Sequence, residues 1–144
     1  MSGVSSLGAF EYFEHTADVG ITAFGSDLKD VFAAAALGLF SLMADLGDLR
    51  DKECIEVVVE AEDVESLLVA WLNELLFIFD VEHLLLRSFE ISVIGDAGLR
   101  AQCWGERFDP ERHRLKLGVK AATYHQVRVE RIGDGYRAQV VVDV

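Results

Sequence analysis

The groups best suited to chemistry are oxygen ligands near the two ends of this sequence. Close to the start, EHTADVGITAFG (14–25) packs His15, Thr16 and Asp18 together ahead of Gly20, and close to the finish VVVDV sets the Asp143 carboxylate beside the α-carboxylate of Val144. Carboxylates repel one another, so a cluster of Asp18, Asp143 and the terminus is tolerable only with a cation or a bound proton among them. Hard oxygen donors in that number suit Ca²⁺, Mg²⁺ or Mn²⁺ and not an ion that seeks thiolates. Two plainer readings stand beside this one. An Asp two positions before a Gly serves turns by accepting a backbone N–H, and a charged chain end is ordinarily just solvated.

Other chemistries find less support. Of the four histidines, His15, His83, His113 and His125, none has the i, i+3 or i, i+4 partner of a helical metal site. His83 and His113 fall in polar turns and are expected to be exposed, whereas His15 and His125 each stand beside a strand end. No serine sits on a sharp Gly-flanked elbow, and no Gly-rich phosphate loop follows a strand. Asp45, Asp48 and Asp51 lack the ligand spacing and closing Glu of an EF-hand, which leaves a solvated connector.

The elements that must position these groups follow from periodicity. Val19, Ile21 and Ala23 alternate with Asp18, Gly20 and Thr22 as in a half-buried strand, with Thr16, Asp18 and Gly20 on one face. Ser26 reads as the N-cap of a helix carrying Leu28, Val31, Phe32, Ala35, Leu39 and Met43, closed by the polar turn at Asp45, Gly47 and Asp48. Cys54–Ala61 alternates as a second strand. Asp63 then caps a helix from Val64 to about Phe79 whose apolar positions wrap more than half its circumference, so it is expected to lie between a sheet and another helix. From Leu86 the period is two: a strand to Val93, a hairpin at Gly95–Gly98, a strand from Leu99 past Cys103, a turn at Asp109-Pro110-Glu111, then strands at 115–119, 126–132 and 136–142. The sum is a single α+β domain over 9–144, a mainly antiparallel sheet of about six or seven strands with two helices packed on it, preceded by a flexible start at 1–8.

Composition narrows the function classes. The 144 residues carry a formal net charge of −12, distributed as 3 basic and 16 acidic residues over 1–80 against 10 and 9 over 81–144. Nucleic-acid binders need a basic footprint to displace counterions, so direct tight binding of RNA or DNA is not expected. An acidic surface favours cations, basic protein faces or plain solubility. Cys54 and Cys103 lack CxxC spacing and read as buried, reduced thiols. With no signal peptide or membrane span in the pattern, a cytoplasmic protein is expected.

Four blocks, EHTADVGI, WLNELLFIFD, FDPERHRLKLGVKAATYHQ and the closing VVVDV, together resemble the archease family over almost the whole chain. That resemblance implies a metal-binding activator of the GTP-dependent RNA ligase of tRNA splicing, which promotes ligase guanylylation and multiple turnover without being an enzyme itself. It implies a metal site of Asp18, Asp143 and Val144, with His15, Lys120 and His125 in supporting positions. It also implies a divalent cation, Ca²⁺ foremost, and the ligase as protein partner. Two alternatives remain open: a metal-dependent phosphoester hydrolase using His15 or His125 as base, and a chaperone-like modulator of a tRNA methyltransferase.

Overall fold

The computed structural model describes residues 8–15 and 18–144, the side chains of Glu14 and His15 excepted. Of the loose start expected at 1–8, all but Gly8 lies outside the described residues, as does Thr16. Seven strands and two helices follow in the order β1 (Ala9–His15), β2 (Asp18–Gly25), α1 (Leu28–Met43), β3 (Glu53–Glu60), α2 (Val64–Glu82), β4 (Leu84–Ile94), β5 (Gly98–Arg107), β6 (Ala121–Ile132) and β7 (Gly135–Asp143). A 3₁₀ turn, Leu46–Asp48, follows α1.

The strands pair antiparallel throughout, but in two sheets and not the single one expected from sequence: β1-β2-β7-β6 and β3-β5-β4. Helix composition supplies the reason. Both helices contact strands of both sheets, and α1 buries Val31, Phe32, Ala35, Ala36, Leu39, Phe40 and Met43 around more than one face. A helix that apolar needs cover on two sides, and two sheets provide it. Trp71 of α2 is fully buried at the centre; its indole N–H donates to the Phe32 carbonyl at 3.0 Å and its ring meets Phe89 edge-on.

Local chemistry sets the element ends. Asp63 accepts the Ser66 N–H at 2.7 Å, as expected of the α2 N-cap. That helix runs on past Phe79 to Glu82 and closes on His83, which is left-handed at φ 58° and exposed. At α1 the cap is Asp27 and not Ser26: Asp27 has the extended backbone and accepts the Asp30 N–H at 2.8 Å, while the Ser26 hydroxyl turns to the Asp30 carboxylate. Strand β1 was not legible, because AFEYFEH has no apolar alternation. The strand expected at 115–119 is not formed: the segment makes one bridge, Leu115 to Ala44, and its Lys116 and Leu117 N–H groups bond carbonyls at the end of α1. A helix end offers too few free carbonyls to extend a ladder.

Two single-residue expectations also change. His113 is buried, not exposed. Its Nδ1 accepts the Asp109 N–H at 2.8 Å, which assigns the proton of the neutral ring to Nε2, 3.0 Å from a Glu106 carboxylate oxygen. Cys103 is buried, whereas Cys54 is exposed on the outer face of β3, because β3 turns its even-numbered residues to solvent.

Candidate metal centre

Strand order brings the two ends of the sequence to one rung of the first sheet. β2 begins at Asp18 and β7 finishes at Asp143, and because the two strands are antiparallel neighbours, Asp18 and Asp143 are direct cross-strand partners. On the far side of Asp18 its partner in β1 is His15, and on the far side of Asp143 its partner in β6 is Ala121. The rung therefore reads His15, Asp18, Asp143, Ala121 across four strands. Lys120 stands immediately before it, its backbone N–H donating to the Asp143 carbonyl at 2.8 Å.

Residues directly opposite on one face have Cβ atoms about 4.5–5.5 Å apart, a spacing at which like charges destabilise the pair. Asp143 responds accordingly. Its acidity is weakened from the ordinary carboxyl value, first by a hydrogen bond with the Asp18 side chain, then by partial burial and by the Asp18 charge, and Lys120 offsets part of this. A carboxyl group that faces another negative charge gains affinity for a proton and for a cation alike.

The surroundings hold the rung firmly. Val144 is half-buried and its side chain packs on the core, which ties down a position where chains commonly fray. On the Asp18 face, the Phe13 ring lies directly over its cross-strand partner Gly20, where an added Cβ would stand 2.1 Å from the ring. That close approach gives the glycine a packing reason, since the aromatic covers backbone that a side chain would otherwise shield.

His125 lies on the same edge strand, exposed, within a four-residue excursion. Pairing jumps from Thr123–Val141 to Arg128–Gln139, and Gln126 takes a left-handed φ of 57°. The Thr123 hydroxyl, bonded to the Val141 carbonyl at 2.9 Å, accepts the His125 N–H at 3.3 Å. Of the six residues singled out from sequence, the backbone thus places His15, Asp18, Lys120, Asp143 and Val144 at one end of one sheet, with His125 four residues along β6 from Ala121. The His15 side chain lies outside the described residues.

The donor set fits a hard cation. It consists of oxygens only: the Asp18 and Asp143 carboxylates on facing residues of β2 and β7, and the α-carboxylate of Val144 next to Asp143. Among the described residues no three His, Cys, Asp or Glu side chains gather as ligands, so a bound ion would draw its remaining oxygens from the terminal carboxylate, backbone or water. A surface depression of about 530 Å³ between α1 and β4 is lined by Ala33, Leu37, Arg87 and Phe89 among others and includes no residue of the rung.

Two groups escaped the sequence reading. Glu106 is 4% exposed and accepts from the Arg50 N–H at 3.0 Å and from Arg112 at 2.8 Å, besides its contact with His113. Its acidity is strengthened to about 2, first by the Arg112 hydrogen bond and further by those of His113 and Arg50, against the opposing effect of burial. Asn73 of α2 bonds both backbone groups of Ala122, donating to the carbonyl at 3.1 Å and accepting the N–H at 2.8 Å. Its only trace in the sequence is a polar residue interrupting an apolar helix.

Comparison with known proteins gives one consistent answer. The Archease protein family matches residues 10–144. Proteins named archease from Pyrococcus abyssi and Methanosarcina acetivorans are 44% and 41% identical to the chain over 139 residues, covering 94% of it and 98% and 95% of their own lengths. The solution structure of Methanobacterium thermoautotrophicum protein 1598 superposes with a TM-score of 0.83 at 36% identity, over 94% of this chain and 98% of that one. The crystal structure of an archease, possible chaperone, from Thermotoga maritima shares the fold at a TM-score of 0.60 and 21% identity, over 93% and 96% of the two chains.

Proposed function

The chain belongs to the archease family, and from that premise we propose that it is a metal-binding activator of a tRNA-splicing RNA ligase, promoting guanylylation and multiple turnover of the ligase without catalysing a reaction itself. The observation that supports this reading is the register of β2 against β7, with Asp18 facing Asp143 and the acidity of Asp143 weakened by that neighbour. Two carboxylates in such opposition are a poor structural device and a good cation trap.

Asp18, Asp143 and the Val144 carboxylate are the proposed ligands. Ca²⁺ is the first choice because it accepts many oxygens in irregular geometry, with Mg²⁺ and Mn²⁺ as the alternatives. A divalent ion held there supplies positive charge that offsets phosphate charge during nucleotidyl transfer in the ligase. The protein residues do the positioning: the sheet fixes both aspartates, Lys120 moderates their field, and His15 and His125 are assigned supporting roles. The net charge of −12 suits a basic channel on the ligase as docking partner and disfavours tight binding of free RNA. No helix among the described residues is long and apolar enough to cross a membrane, which is compatible with work in the cytoplasm.

The test is multiple-turnover joining of split tRNA by the ligase with wild-type protein, Asp18→Ala and Asp143→Ala. Stimulation by wild type alone is expected. Equal stimulation by all three removes the carboxylates from the mechanism, and turnover of a phosphoester by this protein alone with Mn²⁺ would replace the activator reading with a hydrolase. Calorimetric titration with Ca²⁺, Mg²⁺ and Mn²⁺ is the companion measurement. Absence of heat with all three, together with intact stimulation, would favour a chaperone-like partner that works without metal.

A further inference from the structure

We propose that Asn73 is a positioning residue for the carboxylate pair, acting through the backbone of Ala122; the inference rests on the metal-binding reading of the Asp18–Asp143 rung. β6 is an edge strand: among the described residues β7 lies on one side of it and no strand on the other. The outward N–H and C=O groups of an edge strand must find partners elsewhere when they are covered. At Ala122, which is buried, helix α2 supplies both. The Asn73 amide donates to the Ala122 carbonyl at 3.1 Å and accepts the Ala122 N–H at 2.8 Å, matching the donor and acceptor that a neighbouring strand residue would present.

The place of this clamp gives it a role beyond stability. Ala122 follows Ala121, the partner of Asp143, and lies two residues after Lys120, whose N–H donates to the Asp143 carbonyl. Asp143 ends β7, a position where chains commonly fray. On the Asp18 side β2 is backed by β1, a full strand. On the Asp143 side, besides the packing of Val144 on the core, the neighbouring strand is the start of β6 ahead of its four-residue excursion, and Asn73 holds that start to the helix. Removing the amide leaves two covered backbone groups without partners and lets Lys120–Ala122 draw away from Asp143.

A second clamp on the same strand is an internal control. Glu65, in the first turn of α2, accepts the Val129 N–H at 3.2 Å, far along β6 from the rung. Losing it loosens β6 without touching the carboxylates.

The experiment compares wild type, Asn73→Ala, Asn73→Gln, Glu65→Ala and Asp18→Ala by thermal unfolding, by calorimetric titration with Ca²⁺ and Mn²⁺, and by amide hydrogen exchange in chelator. Asn73→Ala is expected to weaken cation affinity about tenfold or more, the usual consequence of losing a group that orients a ligand, and to accelerate exchange of the Lys120 amide. Asn73→Gln keeps both bonding groups and recovers part of each effect. Glu65→Ala is expected to lower the Tm with cation affinity and Lys120 exchange unchanged. If Asn73→Ala and Glu65→Ala lose affinity in step with Tm, the role is structural only and the proposal is overturned. If wild type binds no cation, the metal reading falls, and the metal-free exchange of Lys120 decides the positioning claim: an unchanged rate in Asn73→Ala rejects it.

Discussion

Replacing Glu106 by Gln tests the buried ion network that anchors the turn after β5, and its cost follows from the structure. A carboxyl whose acidity lies at about 2 rather than 4.5 is stabilised in the fold by about 3 kcal/mol. Gln keeps the shape but not the charge. It still offers an oxygen to Arg112 or to the Arg50 N–H, while its amide N–H groups face the Nε2–H of His113, whose tautomer is fixed because Nδ1 already accepts from Asp109. Arg112 is one-third exposed and recovers some hydration once its partner is neutral. The expected loss is therefore about 2–3 kcal/mol at pH 7, or roughly 5–10 °C in Tm. The folded acidity of Glu106 lies below the unfolded one, so its stabilisation is complete above about pH 4.5 and drains as pH falls toward 2. Urea unfolding of wild type and Glu106→Gln at pH 7 and near pH 2.5 is the assay, with the gap expected to shrink at low pH. A difference below about 0.5 kcal/mol at pH 7, within the range of ordinary surface substitutions, or a gap that does not respond to pH, refutes the reasoning.

Further predictions concern the rung and the core. Asp143 is a weaker acid in the fold than in the unfolded chain, so with chelator present stability falls as pH rises through its elevated acidity range. Asp143→Asn is expected to flatten that slope in a Tm-against-pH series, and an unchanged slope counts against the weakened acidity of Asp143. Gly20→Ala drives a methyl into the Phe13 ring and is expected to cost about 1–3 kcal/mol by overpacking. Phe13→Ala removes the obstacle, so a urea double-mutant cycle should show strong non-additivity, and simple additivity contradicts the contact. Cys54 is exposed while burial pushes the Cys103 thiol up to about 12. One thiol per chain is expected to react with a disulfide reagent in the native protein and two after denaturation; two reactive thiols in the native protein would contradict the burial of Cys103.

Much of the secondary structure was legible because its signals are local. The alternation of β3, Asp63 with its free oxygen for the Ser66 amide, and the glycine hairpin at Gly95–Gly98 each need only a few neighbouring residues to act. The departures arose where distant contacts outweighed local pattern. AFEYFEH became β1 by pairing with β2, and 115–119 lost its strand to the end of α1. The polar turn read as exposed at His113 closed over that ring because Glu106, on β5, supplied a buried partner.

By itself, the sequence determined an α+β chain with two apolar-striped helices, the second apolar around more than half its circumference, an acidic net charge, and carboxylates near both ends, since side-chain type and period are properties of adjacent residues. Only the tertiary structure decided that β7 inserts between β2 and β6, setting Asp18 against Asp143 with Asn73 holding the neighbouring strand. Which strands become neighbours, and in what register, depends on how every apolar face in the molecule is covered at once. No stretch of residues encodes that register alone.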